Sequence, residues 1–249
     1  MLREERLKAI IREINLHNKV LSADLSVALR VSEDTIRRDL RELAEEGLIV
    51  KVHGGAMNKA FHHPFSGQHE VYAQEAKRAI ADKIIPVFKN NMSILTEGGT
   101  TIIEIAKKIP DHLHATFFCL SPQVALTLAQ HEHLEVVTIG GRLMKNSNLH
   151  TGAGVINQLA DIRVDLCVIG ANAFSVKGGL TDSDWEVVQV IKAMIRSSQR
   201  AAVVTIAEKL NTVQRIKVCD LSLIHYLFTE LPADSPLLGA YRNTQLTVI

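Results

Sequence analysis

The chain has 249 residues, 47% hydrophobic and 22% charged, with a formal net charge of +1. That is a globular balance with ample apolar surface for a core, and the charge alone points neither toward nucleic acid nor away from it. No run approaches the roughly 18 apolar residues of a membrane span. Met1 to Arg6 is charged at once, without the apolar stretch of a signal peptide, so a cytoplasmic protein with no membrane partner is expected. Cys119, Cys167 and Cys219 lie far apart, each in an apolar run, which fits small buried side chains in a reducing compartment.

The spacing of Leu7, Ile10, Ile11 and Ile14 predicts a first helix that ends at Asn18-Lys19. Ser22 is expected to cap a short second helix carrying Leu25 and Leu29 on one face, and Arg30-Val31 to make a tight turn. Ser32 is expected to cap a third helix, with Glu33 and Asp34 suited to the positive end of its dipole. Stepping about 100° per residue, Leu40 and Leu43 fall within about 40° of Ile36 and bury with it. Arg37, Arg38 and Arg41 then face outward, joined at the N-terminal end by Asp34 and Thr35. Three guanidiniums and a hydroxyl on one exposed face suit a reader of the DNA major groove, because Arg can bridge guanine or clamp phosphate. From Leu48 to Ala56 the chain alternates and turns sharply, which predicts a two-stranded wing with Lys51 and His53 near its tip for phosphate contact. Residues 1–57 hold ten Lys and Arg against ten Asp and Glu. Recognition there must therefore rest on a few arginines and not on a general basic field. Residues 1–57 are thus expected to be an α+β winged helix-turn-helix domain.

From 58 to 72 the composition turns polar and irregular, with His62-His63-Pro64-Phe65-Ser66-Gly67, and reads as a linker. Beyond it, helical segments alternate with short apolar strands. Helices are expected at Ala73 to Phe88, Thr100 to Lys108, Pro122 to Gln130, Val155 to Asp161 and Asp184 to Ser197. Strands are expected near Ser93 to Thr96, Ala115 to Leu120, Leu134 to Ile139, Leu166 to Ile169, Ala201 to Ile206 and Tyr226 to Thr229. That alternation predicts a C-terminal α/β domain over 73–249, built on an open parallel sheet covered on both faces. Glu97-Gly98-Gly99-Thr100-Thr101 sits between a strand and a helix, where helix amides and threonine hydroxyls can receive an anion, and it reads equally as a plain left-handed turn with a threonine cap. Gly140-Gly141 follows another strand and reads better as a tight turn; Lys177, Glu186 and Lys209 lie in or near polar connections. His112-Leu113-His114 and His131-Glu132-His133 read as solvated side chains, and no Gly-x-Gly-x-x-Gly follows a strand. Neither a metal site nor a cofactor is expected.

Leu29-Arg30-Val31-Ser32, Thr35 to Leu40, Leu43, Gly47 and His53-Gly54-Gly55-Ala56 together resemble the N-terminal domain of the DeoR family of regulators. The order of Lys77, Gly99-Thr100-Thr101, Ser121, Gly140-Gly141, Gly152, Asp165, Ile169-Gly170-Ala171, Gly179-Leu180-Thr181, Glu186, Met194-Ile195 and Lys209 resembles the same family's sensor domain, related in fold to ribose-5-phosphate isomerase. The resemblance implies a repressor of a carbohydrate-metabolism operon. Such a protein would bind double-stranded operator DNA as a homo-oligomer, a dimer or tetramer, through Ser32, Asp34, Thr35, Arg37, Arg38, Arg41, Lys51 and His53. It further implies a phosphorylated sugar or related metabolite as effector, held by Glu97, Gly98, Gly99, Thr100, Thr101, Ser121, Gly140, Gly141, Lys177, Glu186 and Lys209. Against the family pattern, Glu97 replaces Asp, Leu120 replaces Asn, Asn172 replaces Asp, Ile191 replaces Lys and Ile206 replaces Asp, so a drier and less charged pocket is expected. The alternative is an isomerase-like enzyme with a DNA-binding module. It is weakened because the isomerases carry an acidic pair where this chain has Asn172 and Ala173.

Overall fold

The computed structural model describes residues 1–17, 19–59, 71–145 and 147–249. Most of the expected linker, His62 to His69 included, lies outside the described residues. The chain divides into two compact units, Met1–Tyr72 and Ala73–Ile249.

The first unit runs α1 (Arg3–His17), β1 (Lys19–Leu21), α2 (Ser22–Leu29), α3 (Glu33–Glu45), β2 (Ile49–Val52) and β3 (Gly55–Asn58). Ile10 and Ile14 of α1, Leu25 of α2 and Ile36, Leu40 and Leu43 of α3 close one small core with Ile49, the stripes that helical periodicity predicts. Arg30 ends α2 at φ 55°, and Ser32 caps α3 by accepting the Thr35 N–H at 3.2 Å. Two expectations are corrected. Ser22 is not a cap: it is the first residue of α2, and its N–H donates to the Gly54 carbonyl at 2.8 Å, because β1 runs straight into the helix. The wing sheet has three strands, in the order β1-β3-β2. β1 pairs through Lys19–Leu21 with Met57–Gly55, and three residues are too short a stretch to show alternation. A side chain on Gly55 would place its Cβ 1.9 Å from the Val20 carbonyl oxygen, so glycine alone lets these strands approach.

The second unit begins with α4 (Gln74–Ile84), β4 (Ser93–Thr96), α5 (Thr100–Lys107), β5 (Ala115–Cys119), α6 (Pro122–Leu128) and β6 (Leu134–Thr138). It continues through a hairpin, β7 (Arg142–Met144) and β8 (Leu149–Thr151), to α7 (Ala153–Ala160) and β9 (Val164–Gly170). Then come β10 (Ala173–Ser175), β11 (Gly179–Asp182), α8 (Trp185–Arg196), β12 (Ser198–Val204), β13 (Ile216–Cys219), β14 (Tyr226–Phe228), α9 (Gly239–Arg242) and β15 (Thr247–Val248). The main sheet has the order β15-β14-β12-β9-β4-β5-β6, and every neighbouring pair is parallel. Central strands such as β9 are apolar nearly throughout because helices cover both faces. The chain leaves β4 in one direction toward β5 and β6 and returns on the other side at β9. The topological switch therefore lies between β4 and β9, and the carboxyl ends of strands at such a switch form a crevice. β10, β11 and β13 form a small antiparallel sheet beside the main one. These strands and the β7–β8 hairpin were not anticipated, since each has only three or four residues. All three cysteines are free and buried.

Candidate functional site

On α3 the structure separates the arginines that the helical wheel grouped together. Arg37 donates from Nη2 to Glu33 Oε2 at 2.9 Å and from Nη1 to Asp34 Oδ1 at 3.5 Å, one turn back on the same helix. Arg38 and Arg41 are exposed and have no acidic partner among the described residues. Ser32 and Thr35 share a hydroxyl–hydroxyl hydrogen bond of 2.9 Å at the start of the helix. Asp34 is 85% exposed there. Lys51 is exposed on β2, and exposed His53 starts the two-residue turn between β2 and β3. Asp39, within the same motif, points the other way: it is 3% exposed and accepts two hydrogen bonds from Arg6 of α1.

In the second unit the crevice at the switch is built from β4 and β9 outward. Glu97, just past β4, is buried, and its Oε2 accepts the Gly170 N–H at the end of β9 at 2.9 Å. Burial pushes its carboxyl up to about 8; the charge of Asp182 adds to the rise, while the Gly170 N–H and Lys209 oppose it. Asp182, half-buried at the end of β11, is raised by burial and accepts the Asp184 N–H at 2.9 Å. Lys209 donates to the Ala171 carbonyl at 3.2 Å. Burial lowers its ammonium to about 8, against the pull of Asp182 and Glu97. From α4 a second lysine, Lys77, is 7% exposed. Burial and then the charge of Lys209 bring it down to about 7, with Glu104 opposing.

Beside these charges the amides at the start of α5 are open. Gly99 sits at the helix N-cap with φ 92° and supplies no side-chain cap. Gly98 has room for no side chain, since a Cβ there would lie 2.6 Å from Leu149 and 3.0 Å from Ser121. Ser121 is 2% exposed, and its hydroxyl makes no hydrogen bond among the described residues. A buried and a half-buried ammonium, an unused hydroxyl and a helix N-terminus in one crevice can hold an anion, and the two carboxyls can bond hydroxyl groups.

Glu97, Gly98, Gly99, Thr100, Thr101, Ser121 and Lys209 are thus brought to one place. The other expected effector residues are not in the charged cluster. Lys177 is exposed in the turn of the β10–β11 hairpin, at the far end from Asn172 and Asp182. The carbonyl of Gly140 accepts from Gln158 Nε2 at 2.8 Å, and Gly141 lies at a bend before β7, where a Cβ would stand 2.4 Å from Val155 and 2.9 Å from the Thr151 carbonyl oxygen. Glu186 pairs with Arg142 of β7 and accepts the Thr151 hydroxyl at 3.0 Å. Of the aliphatic positions read as drying the pocket, Leu120, Ile191 and Ile206 are buried at 0%, 1% and 3%, the first two in the hydrophobic core, and the crevice holds the ionisable side chains of Lys77, Glu97, Asp182 and Lys209. Among the described residues no group of three or more His, Cys, Asp or Glu could hold a metal, and no helix is long and apolar enough to cross a membrane.

Comparison with known proteins decides the family. Residues 6–59 match the DeoR-like helix-turn-helix domain, and residues 72–231 match the DeoR C-terminal sensor domain. The chain belongs to the DeoR family. Its relatives include the transcriptional regulator GlpR of Haloferax volcanii, 30% identical over all of this chain and 98% of that one. The glycerol-3-phosphate regulon repressor of Haemophilus influenzae is 30% identical over 90% of this chain and 88% of that one. The repressor CsqR of Escherichia coli is 28% identical over 91% and 87%. This DeoR-family chain is a DNA-binding transcriptional regulator. Among solved structures, ribose 5-phosphate isomerase A from Methanocaldococcus jannaschii matches at a TM-score of 0.41 and 17% identity, over 55% of this chain and 54% of that one. eIF2B beta from Chaetomium thermophilum matches at 0.49 and 14%, over 68% and 53%. This DeoR-family member thus spans little more than half of either structure.

Two residues of the crevice escaped sequence reasoning as candidate ligands. Asp182 ends a strand of four residues, too short for a local pattern to mark it. Lys77 stood in the family pattern, and three residues before Ile80 and seven before Ile84 it lies on the buried stripe of α4. A lysine on the inward face of an amphipathic helix was the available signal.

Proposed function

We propose that this regulator represses a carbohydrate-metabolism operon in the cytoplasm and is controlled by a phosphorylated sugar or related metabolite bound in the crevice between β4 and β9. One observation carries the reading. The Ser121 hydroxyl, without a hydrogen bond among the described residues, stands at the open N-terminus of α5 in a crevice that also holds Lys77 and Lys209. A phosphate there receives helix amides, hydroxyls from Ser121, Thr100 and Thr101, and two cations. Glu97, Asp182 and Lys209 then face the hydroxyl groups of the carbon chain. Relatives named for the glycerol-3-phosphate regulon support an effector of this class.

On DNA, α3 enters the major groove. Arg38 and Arg41 are free to meet bases or phosphates, Arg37 is held toward the helix start by Glu33 and Asp34, and Ser32, Asp34 and Thr35 lie at the leading end. Lys51 and His53 of the wing take backbone phosphate. One such domain buries too little surface for tight specific binding, so a homo-oligomer, dimer or tetramer, reads paired half-sites. The effector acts by binding the DNA-competent and incompetent arrangements with different affinities.

Calorimetric titration of the full-length protein with glycerol 3-phosphate and a panel of sugar phosphates, each beside its unphosphorylated parent, tests the effector. Saturable binding that requires the phosphate group is expected and should be lost in Ser121→Ala combined with Lys77→Met. No binding by any phosphorylated compound, or equal binding of the parents, would refute it.

A further inference from the structure

Four charged side chains join α1 to the DNA-reading helix α3 in a two-rung ladder. In the inner rung Arg6 Nε donates to Asp39 Oδ2 at 2.6 Å and Nη2 donates to Oδ1 at 3.2 Å. The two side chains are 13% and 4% exposed. In the outer rung, one turn along each helix, Arg3 pairs with Glu42, at 63% and 30% exposure. Both spacings are three residues, so the rungs run antiparallel between the helices, 3 with 42 and 6 with 39.

Apolar packing between α1 and α3, through Ile10, Ile14, Ile36 and Leu40, is non-directional and tolerates small rotations. A planar guanidinium forked onto a carboxylate does not, because both hydrogen bonds must keep their angles. Such a buried pair is a poor source of stability, since well-packed apolar residues of like volume often do as well or better. What it supplies is direction. Asp39 lies one residue after Arg38 and two before Arg41, so the rotation that this fork allows α3 is the rotation with which those arginines meet DNA.

We propose that Arg6 and Asp39, supported by Arg3 and Glu42, are positioning residues for operator recognition: they set the rotation and register of α3 against α1, and they do not touch DNA. Asp39 and Glu42, though on the reading helix, then repel no phosphate, and Arg3 and Arg6 belong to the scaffold and not to the DNA-contact set.

The test uses the full chain, a duplex selected from a random library by the wild-type protein, and a scrambled duplex of equal length. The variants are the apolar replacement Arg6→Met with Asp39→Leu, and Glu42→Gln, which alters only the partly exposed rung and leaves the fold intact. With the fold checked by circular dichroism, the ratio of selected to scrambled affinity should fall about tenfold in the double variant, the size of one lost base contact. It should fall by about threefold in Glu42→Gln, as suits a partly exposed pair. Scrambled-duplex affinity and its salt slope should stay at wild-type values in both. A ratio kept at the wild-type level in every folded variant would show that the ladder serves only the fold. A salt slope reduced by about one would show that an arginine of the ladder contacts phosphate. Either result overturns the proposal.

Discussion

Arg37 and Glu33 form an ion pair of 2.9 Å along one turn of the recognition helix, while Arg38 and Arg41, its neighbours in sequence, have no acidic partner among the described residues. Equal arginines are thereby made unequal. Arg38→Ala should cost roughly 1–3 kcal/mol of binding to a selected duplex if it reads a base. Arg37→Ala should cost less, because Arg37 must leave or share its carboxylates before it can bind DNA. Fluorescence anisotropy on the selected duplex checks the order; a larger loss for Arg37 would reverse the assignment.

Lys51 stands exposed on the wing strand β2, outside the helix proposed to enter the groove. Replacing it with Ala should weaken selected and scrambled duplexes alike and reduce the salt slope by about one, as a phosphate contact does. Affinities measured across a salt series decide it; a loss confined to the selected duplex would make Lys51 a base reader.

Gly55→Ala should disrupt the wing, since the new methyl would meet the Val20 carbonyl oxygen at 1.9 Å. Relief requires β1 to part from β3, at a cost on the order of 1–3 kcal/mol for overpacking. Chemical denaturation would measure the loss. An unchanged midpoint would contradict this account of the sheet.

Effector affinity should fall as pH rises. Lys77 loses its charge near 7 and Lys209 near 8, and Glu97 gains one near 8, so all three changes disfavour an anion. Glycerol 3-phosphate binding should weaken by at least about tenfold between about pH 7 and about pH 9, where the phosphate itself is already a dianion. Lys77→Met should bind more weakly at about pH 7 and show a shallower profile. Affinity that holds steady over this range would remove the lysines from the anion site.

Glu97 also couples stability to pH. Its carboxyl lies near 8 in the folded chain against an ordinary 4.5, so folding takes up a proton between those values. The group's stabilising contribution is complete below the ordinary value and is lost as pH climbs through about 8. Gln in its place cannot titrate and still offers an oxygen to the Gly170 N–H. The melting temperature of Glu97→Gln relative to wild type should therefore rise steadily from about pH 5 to about pH 8. Parallel curves in a calorimetric series would show that Glu97 does not carry the linkage.

By itself the sequence determined what depends on neighbours along the chain. Ile36, Leu40 and Leu43 recur at helical spacing and had to bury together, which turned Arg38 and Arg41 outward. Ser32 could cap only the helix that begins beside it. The apolar runs around Leu95, Phe117 and Val168 called for a covered parallel sheet. Tertiary structure decided what depends on partners distant in sequence. Asp39 reads as one more acid on a DNA-facing motif until Arg6, 33 residues away, is seen to hold it inward. Lys77 and Asp182 join Glu97 and Lys209 only because strand order places β4 against β9 and brings β11 and α4 to the same end. Lys177 and Glu186 were placed in the crevice by their order in the chain, and the hairpin turn and Arg142 keep them out of the charged cluster. The reason is physical: side-chain periodicity reports which face is buried, whereas the desolvation and pairing of a charge depend on every group that folding carries to it.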